Sequence, residues 1–144
     1  MRDLGLWLHV AAIMVAFATL PGAGLILRLL ADRASGPDAQ AIAKSFTPIF
    51  RFGGAAVVVA VLAGLALAVP YGFLSPWLVA TYVLLIVAAI NGAVIEGGWA
   101  GRLASAAPDK AASIRAETLP RIATWIGFVV WAVLLWLMVA KPGA

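Results

Sequence analysis

An all-α, polytopic membrane protein, with four transmembrane helices packed as a bundle, is the fold class this sequence predicts. Three observations predict it. Apolar residues make up 65% of the chain. Lys, Arg, Asp and Glu are absent from residues 4–27, 52–95 and 122–140. The middle gap is about twice the ~20 residues that one helical crossing of a bilayer requires, and it is broken by the segment VPYGFLSPW at 69–77.

The first span, 4–27, is longer than the apolar core of a signal peptide, and Arg28 follows it as a stop-transfer flank would. It therefore reads as a retained helix. Two prolines and a glycine in 69–77 mark a tight reversal, which divides the second gap into spans 52–69 and 77–98. The last gap, 122–140, makes the fourth span. The whole chain, 1–144, is then a single transmembrane domain. Prolines follow the first and third spans at Pro37 and Pro108, each beside an aspartate, Asp38 and Asp109. Proline suits the first turn of a helix and aspartate its positive end. Short interfacial helices are thus predicted at 37–46 and 108–119. Trp-Leu pairs (Trp7-Leu8, Trp77-Leu78), inner arginines (Arg28, Arg102), the Pro-Asp pairs and later prolines (Pro48, Pro120) recur in the same order, as in a duplicated helical hairpin.

Charge predicts orientation. The connection after the first span holds Arg28, Arg33, Lys44 and Arg51, and that after the third holds Arg102, Lys110, Arg115 and Arg121. Only Arg2 and Lys141 lie elsewhere. The positive-inside bias places both connections in the cytoplasm and both termini outside. The net charge of +4 follows this topology and is not a nucleic-acid signal. The chain has no cysteine, so disulfides and thiolate chemistry are excluded.

Helices in lipid associate where small side chains let backbones approach. Two such rows are predicted as packing faces: Ala56, Ala60, Gly64 and Ala68 on the second span, and Ala89, Ala93, Gly97 and Gly101 on the third. On the first span, Gly5, Ala12, Ala16 and Ala23 share a side with His9, while Trp7 and Met14 face away. Pro21, with Gly22 and Gly24, should kink or loosen the inner end of this helix. Trp7, Tyr71, Trp77, Trp99 and Trp125 fall near predicted membrane interfaces, as an aromatic belt requires.

The polar groups within the gaps are the candidates for chemistry, because an ionisable residue inside a span is costly and marks function by default. His9, near the outer boundary, would ligate haem iron or copper, relay a proton, or bond a backbone carbonyl. Glu96, near the inner boundary, would bind a cation, pass protons, or pair with Arg28 or Arg121. At 100° per residue Asn91 points to a different side from Glu96, toward another helix. His9 and Glu96 lie at opposite membrane faces and do not make one acid–base pair. No catalytic residue and no resident metal site is assigned.

Leu8-His9 near the outer end, an inner arginine after the first span, and Pro76-Trp77-Leu78 opening the third resemble a family of predicted four-helix bacterial membrane proteins of unknown function. More distantly, the first span is similar to those of the copper-resistance D proteins and the HemJ-type protoporphyrinogen oxidases. The resemblance implies a multi-pass protein of the bacterial inner membrane, with periplasmic termini. It also implies a haem-associated His9, although the later-span histidine of those relatives is missing. Three functions follow as expectations. The first is a non-enzymatic accessory or structural subunit, docking to itself or to a membrane complex through Gly/Ala faces. The second is a haem- or copper-associated redox protein with His9 as ligand. The third is a small transporter or proton pathway using Glu96.

Overall fold

The computed structural model describes residues 2–140; Lys141, which entered the charge asymmetry, lies outside them. Four helices are long and apolar enough to cross a membrane: Asp3–Arg33, Gly36–Tyr71, Pro76–Ser105 and Thr118–Ala140. These are the first to fourth spans. The fifth helix, Pro108–Arg115, is short, and the described residues contain no strand. The end of the bundle that bears the two basic connections is termed inner. Each span outruns its charge-free stretch at that end. Helical hydrogen bonding continues where Arg and Asp side chains reach water.

The spans pack from both ends toward a middle. At mid-depth Ala12, Ile13 and Ala16 meet Ala56, Ala60, Ala88, Val130, Trp131 and Leu134. The inner core joins Leu27, Ala31, Ala39 and Ala43 to Trp99, Leu103 and Ala111. At the outer end only Ala68, Trp77 and Leu78 form a buried cluster. The reason is the pairing of the helices. The outer half of the first span lies on the second, and that of the third lies on the fourth; the second and third spans meet at the inner end and again at the outer hairpin, where Ala68 packs on Trp77. Between those two contacts the two pairs diverge.

Both the first and third spans contain a π-helical turn, Ala18–Gly22 and Ile90–Glu96. Pro21 lies inside the first of them, so the loosening expected at this proline takes the form of a π turn within a continuous helix. The hairpin between the second and third spans turns at Gly72, whose φ of 71° is open to glycine and costly for a residue with a Cβ.

Only one of the two predicted interfacial helices is separate. The segment 37–46 is fused to the second span as one helix, Gly36–Ala68, with Pro48 in its interior. Ala39 and Ala43 are fully buried against the inner core, which holds this segment upright under the bundle. The segment 108–119 is a helix only to Arg115. The chain breaks before Thr118, where Glu117 pairs with Arg102. Up to that break the halves share one order: a long helix with a π turn in its inner part, a two-residue connection, and a new helix begun at Pro-Asp.

The predicted packing rows differ in outcome. Ala56, Ala60 and Ala68 are buried, and Gly64 lies against the His9 ring. On the third span Ala89, Ala93 and Gly101 are exposed and Gly97 is half-buried, so this row is not the bundle-facing side. Thr81, Ala88, Asn91, Glu96, Trp99 and Leu103 are turned inward instead. The aromatic belt also needs correction. Trp7 and Trp125 do face outward, but Trp77 and Trp99 are inside the protein. Trp99 satisfies its indole N–H by donating to the Ile114 carbonyl at 2.9 Å.

Candidate functional site

His9 is half-buried on the first span, facing the second. Its Nδ1 lies 2.7 Å from the carbonyl oxygen of Ala60. A carbonyl can only accept, so Nδ1 carries the hydrogen, and in the neutral ring Nε2 then keeps its lone pair. Gly64 makes room for the ring: a Cβ there would come within 2.7 Å of His9 Cε1. The small-residue row of the second span thus supplies both the acceptor and the space that fix the imidazole.

Where the helix pairs diverge, they enclose a cavity of about 510 Å³ that His9 lines. Its walls are mostly apolar, with Tyr71, Trp77, Tyr82 and Trp131 as aromatic surfaces. This size and lining are those of small-molecule sites. Trp77 is 7% exposed, yet its Nε1 has no hydrogen-bond partner among the described residues, and neither has the Tyr82 hydroxyl. Buried indole N–H and phenol groups ordinarily find partners. Leu6 and Met14 on the first span, and Leu135 and Val139 on the fourth, line the cavity and are also exposed. The cavity therefore opens sideways toward lipid between those spans.

Glu96 belongs to a second, inner cluster. It is 3% exposed and Arg28 5%, and both border a narrow pocket with Gly24, Phe50, Trp99 and Thr124. They form no direct ion pair. Arg28 instead lies over the Trp99 ring at 4.2 Å, a cation–π contact that compensates a desolvated guanidinium. Arg28 Nε and Nη1 and Glu96 Oε1 lack hydrogen-bond partners. Arg121, the other partner considered for Glu96, pairs with Asp32 at 3.3 Å.

Asn91 and Glu96 face the same helix, which corrects the reading that they point apart. Asn91 Nδ2 donates to the Ala123 carbonyl at 2.9 Å. A Cβ on Gly127 would lie 3.1 Å from that nitrogen and 3.8 Å from Glu96 Oε1. In an α-helix residues five apart are separated by about 140°. The i→i+5 bonding of a π turn stacks them one above the other, and both residues lie in Ile90–Glu96.

The outer cavity and the inner cluster share no lining residue, so His9 and Glu96 are separate, as their positions along the spans require. Sequence reasoning passed over Trp77 and Tyr82 as polar groups and Arg28 as a buried one. A phenol in the middle of an apolar span was the available signal for Tyr82. No family model, curated protein or solved structure matches the chain.

Two cofactors can be weighed against the cavity. The His9 geometry, with Nδ1–H on a carbonyl and Nε2 free, is that of a ligating imidazole. Haem nevertheless carries two propionates, and Asp3 is the only formally charged side chain among the described residues that line the cavity. Asp3 offers no partner to those carboxylates. Copper would draw on Met14 and Met138, which line the same cavity, since no group of three or more His, Asp or Glu residues is present among the described residues.

Proposed function

We propose that this multi-pass membrane protein binds a neutral, lipophilic small molecule in the outer half of its bundle, with His9 as the anchoring residue. One observation carries the reading: an imidazole oriented by the Ala60 carbonyl lines an apolar cavity of about 510 Å³, flanked by exposed side chains of the first and fourth spans. Such a site captures its ligand from the bilayer and leaves one nitrogen to recognise it.

The test is to purify the protein from native membranes and identify the lipophiles extracted with it by mass spectrometry. One species should be enriched over bulk lipid and should fall sharply in His9→Ala and Gly64→Ala, the latter because its Cβ displaces the ring. An extract matching bulk lipid would refute the reading.

A second reading, an accessory subunit, is favoured by the exposure of Ala89, Ala93 and Gly101 on one face of the third span. Small residues exposed to lipid let another helix approach closely. The chain lacks cysteine, so Ala93→Cys gives a single thiol for oxidative cross-linking in native membranes. A cross-linked species supports docking through this face, and an uncross-linked monomer removes it.

A further inference from the structure

The outer cavity is long rather than round, and its depth matches one leaflet of a bilayer. Each span lines it over a run of residues: 3–14, 57–71, 77–85 and 131–139. Those runs correspond to about 12–21 Å of helix, against about 15 Å for half of a bilayer's hydrocarbon core. At the inner limit stand Ile13, Val57, Leu85 and Trp131, which belong to the mid-depth core or pack on it. Leu6, Val10 and Met14 follow one another at turn intervals on the first span, line the cavity and are exposed. The space therefore borders lipid along its length. At roughly 30 Å³ per methylene-sized group, close to the share of one water in the liquid, about 510 Å³ holds roughly seventeen such groups. That is one long hydrocarbon chain and not two.

Two residues constrain the head of such a chain. Asp3, the sole formal charge lining the cavity among the described residues, offers no partner to an anionic head. His9 lies two turns of the same helix deeper, about 9 Å, just beneath a headgroup layer about 5–7 Å thick. A glycerolipid carries its hydroxyls and ester at that level. We propose that the outer cavity holds a single-chain, uncharged acylglycerol of the adjoining leaflet, its chain extended parallel to the helices and its glycerol head between His9 and Asp3. This rests on the cavity being the binding site and adds the chemical class and shape of the ligand. A compact polycyclic ligand of equal volume leaves the length of the slot unfilled, and a second acyl chain has to stay outside in lipid.

Binding of tritiated probes to the full chain in nanodiscs tests this, with empty nanodiscs subtracted for partitioning. The probes are monopalmitoylglycerol, monooctanoylglycerol, dipalmitoylglycerol, palmitate and a sterol. Monopalmitoylglycerol should bind saturably and about tenfold more tightly than each of the others. Val57→Phe puts a larger side chain at the closed end and should cut the advantage of the palmitoyl over the octanoyl probe to about twofold or less. If Val57→Phe does not fold, Leu85→Phe at the same end decides. An unchanged chain-length preference in the folded variant overturns the placement of the chain, and equal binding of the octanoyl probe to the unmodified protein overturns the filled slot. Equal or tighter binding of the sterol overturns the linear shape, of dipalmitoylglycerol the single chain, and of palmitate the uncharged head. Failure of every probe while another lipophile is enriched on purification would end this assignment and leave a His9-anchored cavity. Failure of every probe with no lipophile enriched would end both proposals.

Discussion

At the residue scale, neighbouring glycines on the second span separate space from conformation. A Cβ on Gly53 would lie 2.5 Å from Thr19 Oγ1 and 2.9 Å from Leu20 Cγ, whereas one on Gly54 would meet nothing within 4 Å. Gly53→Ala should therefore cost about 1–3 kcal/mol by overpacking. Gly54→Ala should be neutral or stabilise by up to about 1 kcal/mol, because alanine favours helix. Unfolding in mixed micelles with rising denaturing detergent would measure both, and equal effects would contradict the packing. Arg28 and Glu96 give a second test. The two groups share one narrow pocket without a direct contact, so removing one charge leaves the other with less compensation. Arg28→Met should thus be destabilising and should be partly rescued by Glu96→Gln. A strictly additive pair would show that the two do not compensate one another. Rescue would identify Glu96 as a structural counter-charge, whereas proton flux lost in Glu96→Gln alone would support a pathway.

At the scale of elements, the π turn in the third span decides which side chains enter the bundle. Deleting Val94, an exposed residue within Ile90–Glu96, restores α-helical spacing and forces Asn91 or Glu96 out of contact with the fourth span. Folded yield, read by size-exclusion chromatography, should drop far more than for Asn91→Ala, which loses one interhelical hydrogen bond of about 1 kcal/mol. Similar yields would mean that the turn is passive. The short helix makes a related prediction. Arg115 Nη1 donates to the Ala31 carbonyl at 2.9 Å and also to that of Ala34, closing the inner end of the first span with a cation at its negative pole. Arg115→Ala should cost about 1.5–3 kcal/mol in the same unfolding assay. A change under ~0.5 kcal/mol would show that the helix docks without it.

For the whole molecule, the divergence of two helix pairs is what creates a ligand-sized cavity. Both ion pairs seen, Arg102–Glu117 and Arg121–Asp32, lie at the inner end and are exposed. Each contributes little alone, but together they tie the third connection to the third span and the fourth span to the first where the pairs converge. The charge asymmetry predicts that this end is cytoplasmic. Single cysteines at Ser113 and Leu74 should label with a membrane-impermeant thiol reagent only from the inside and only from the outside, respectively. Reversed labelling would overturn the orientation.

The four spans were legible in the order of residues because lipid tolerates long charge-free helices and little else. The first and last charge-free stretches each fall in one helix and the middle stretch in two, with Pro-Tyr-Gly marking the reversal between them. The side of the first span that carries His9 was readable too, since its helix is regular up to Phe17 and a 100° step holds there. The third span defeated the same method. Its exposed Ala89–Gly101 row has the pattern of a packing face, but one π turn rotates the helix and brings Asn91 together with Glu96 instead. No local signal reports that turn, which brings both polar side chains to the fourth span. The cavity is likewise a property of helix pairing rather than of any segment. Trp77 and His9 are 68 positions apart, and only tertiary packing brings both to one cavity.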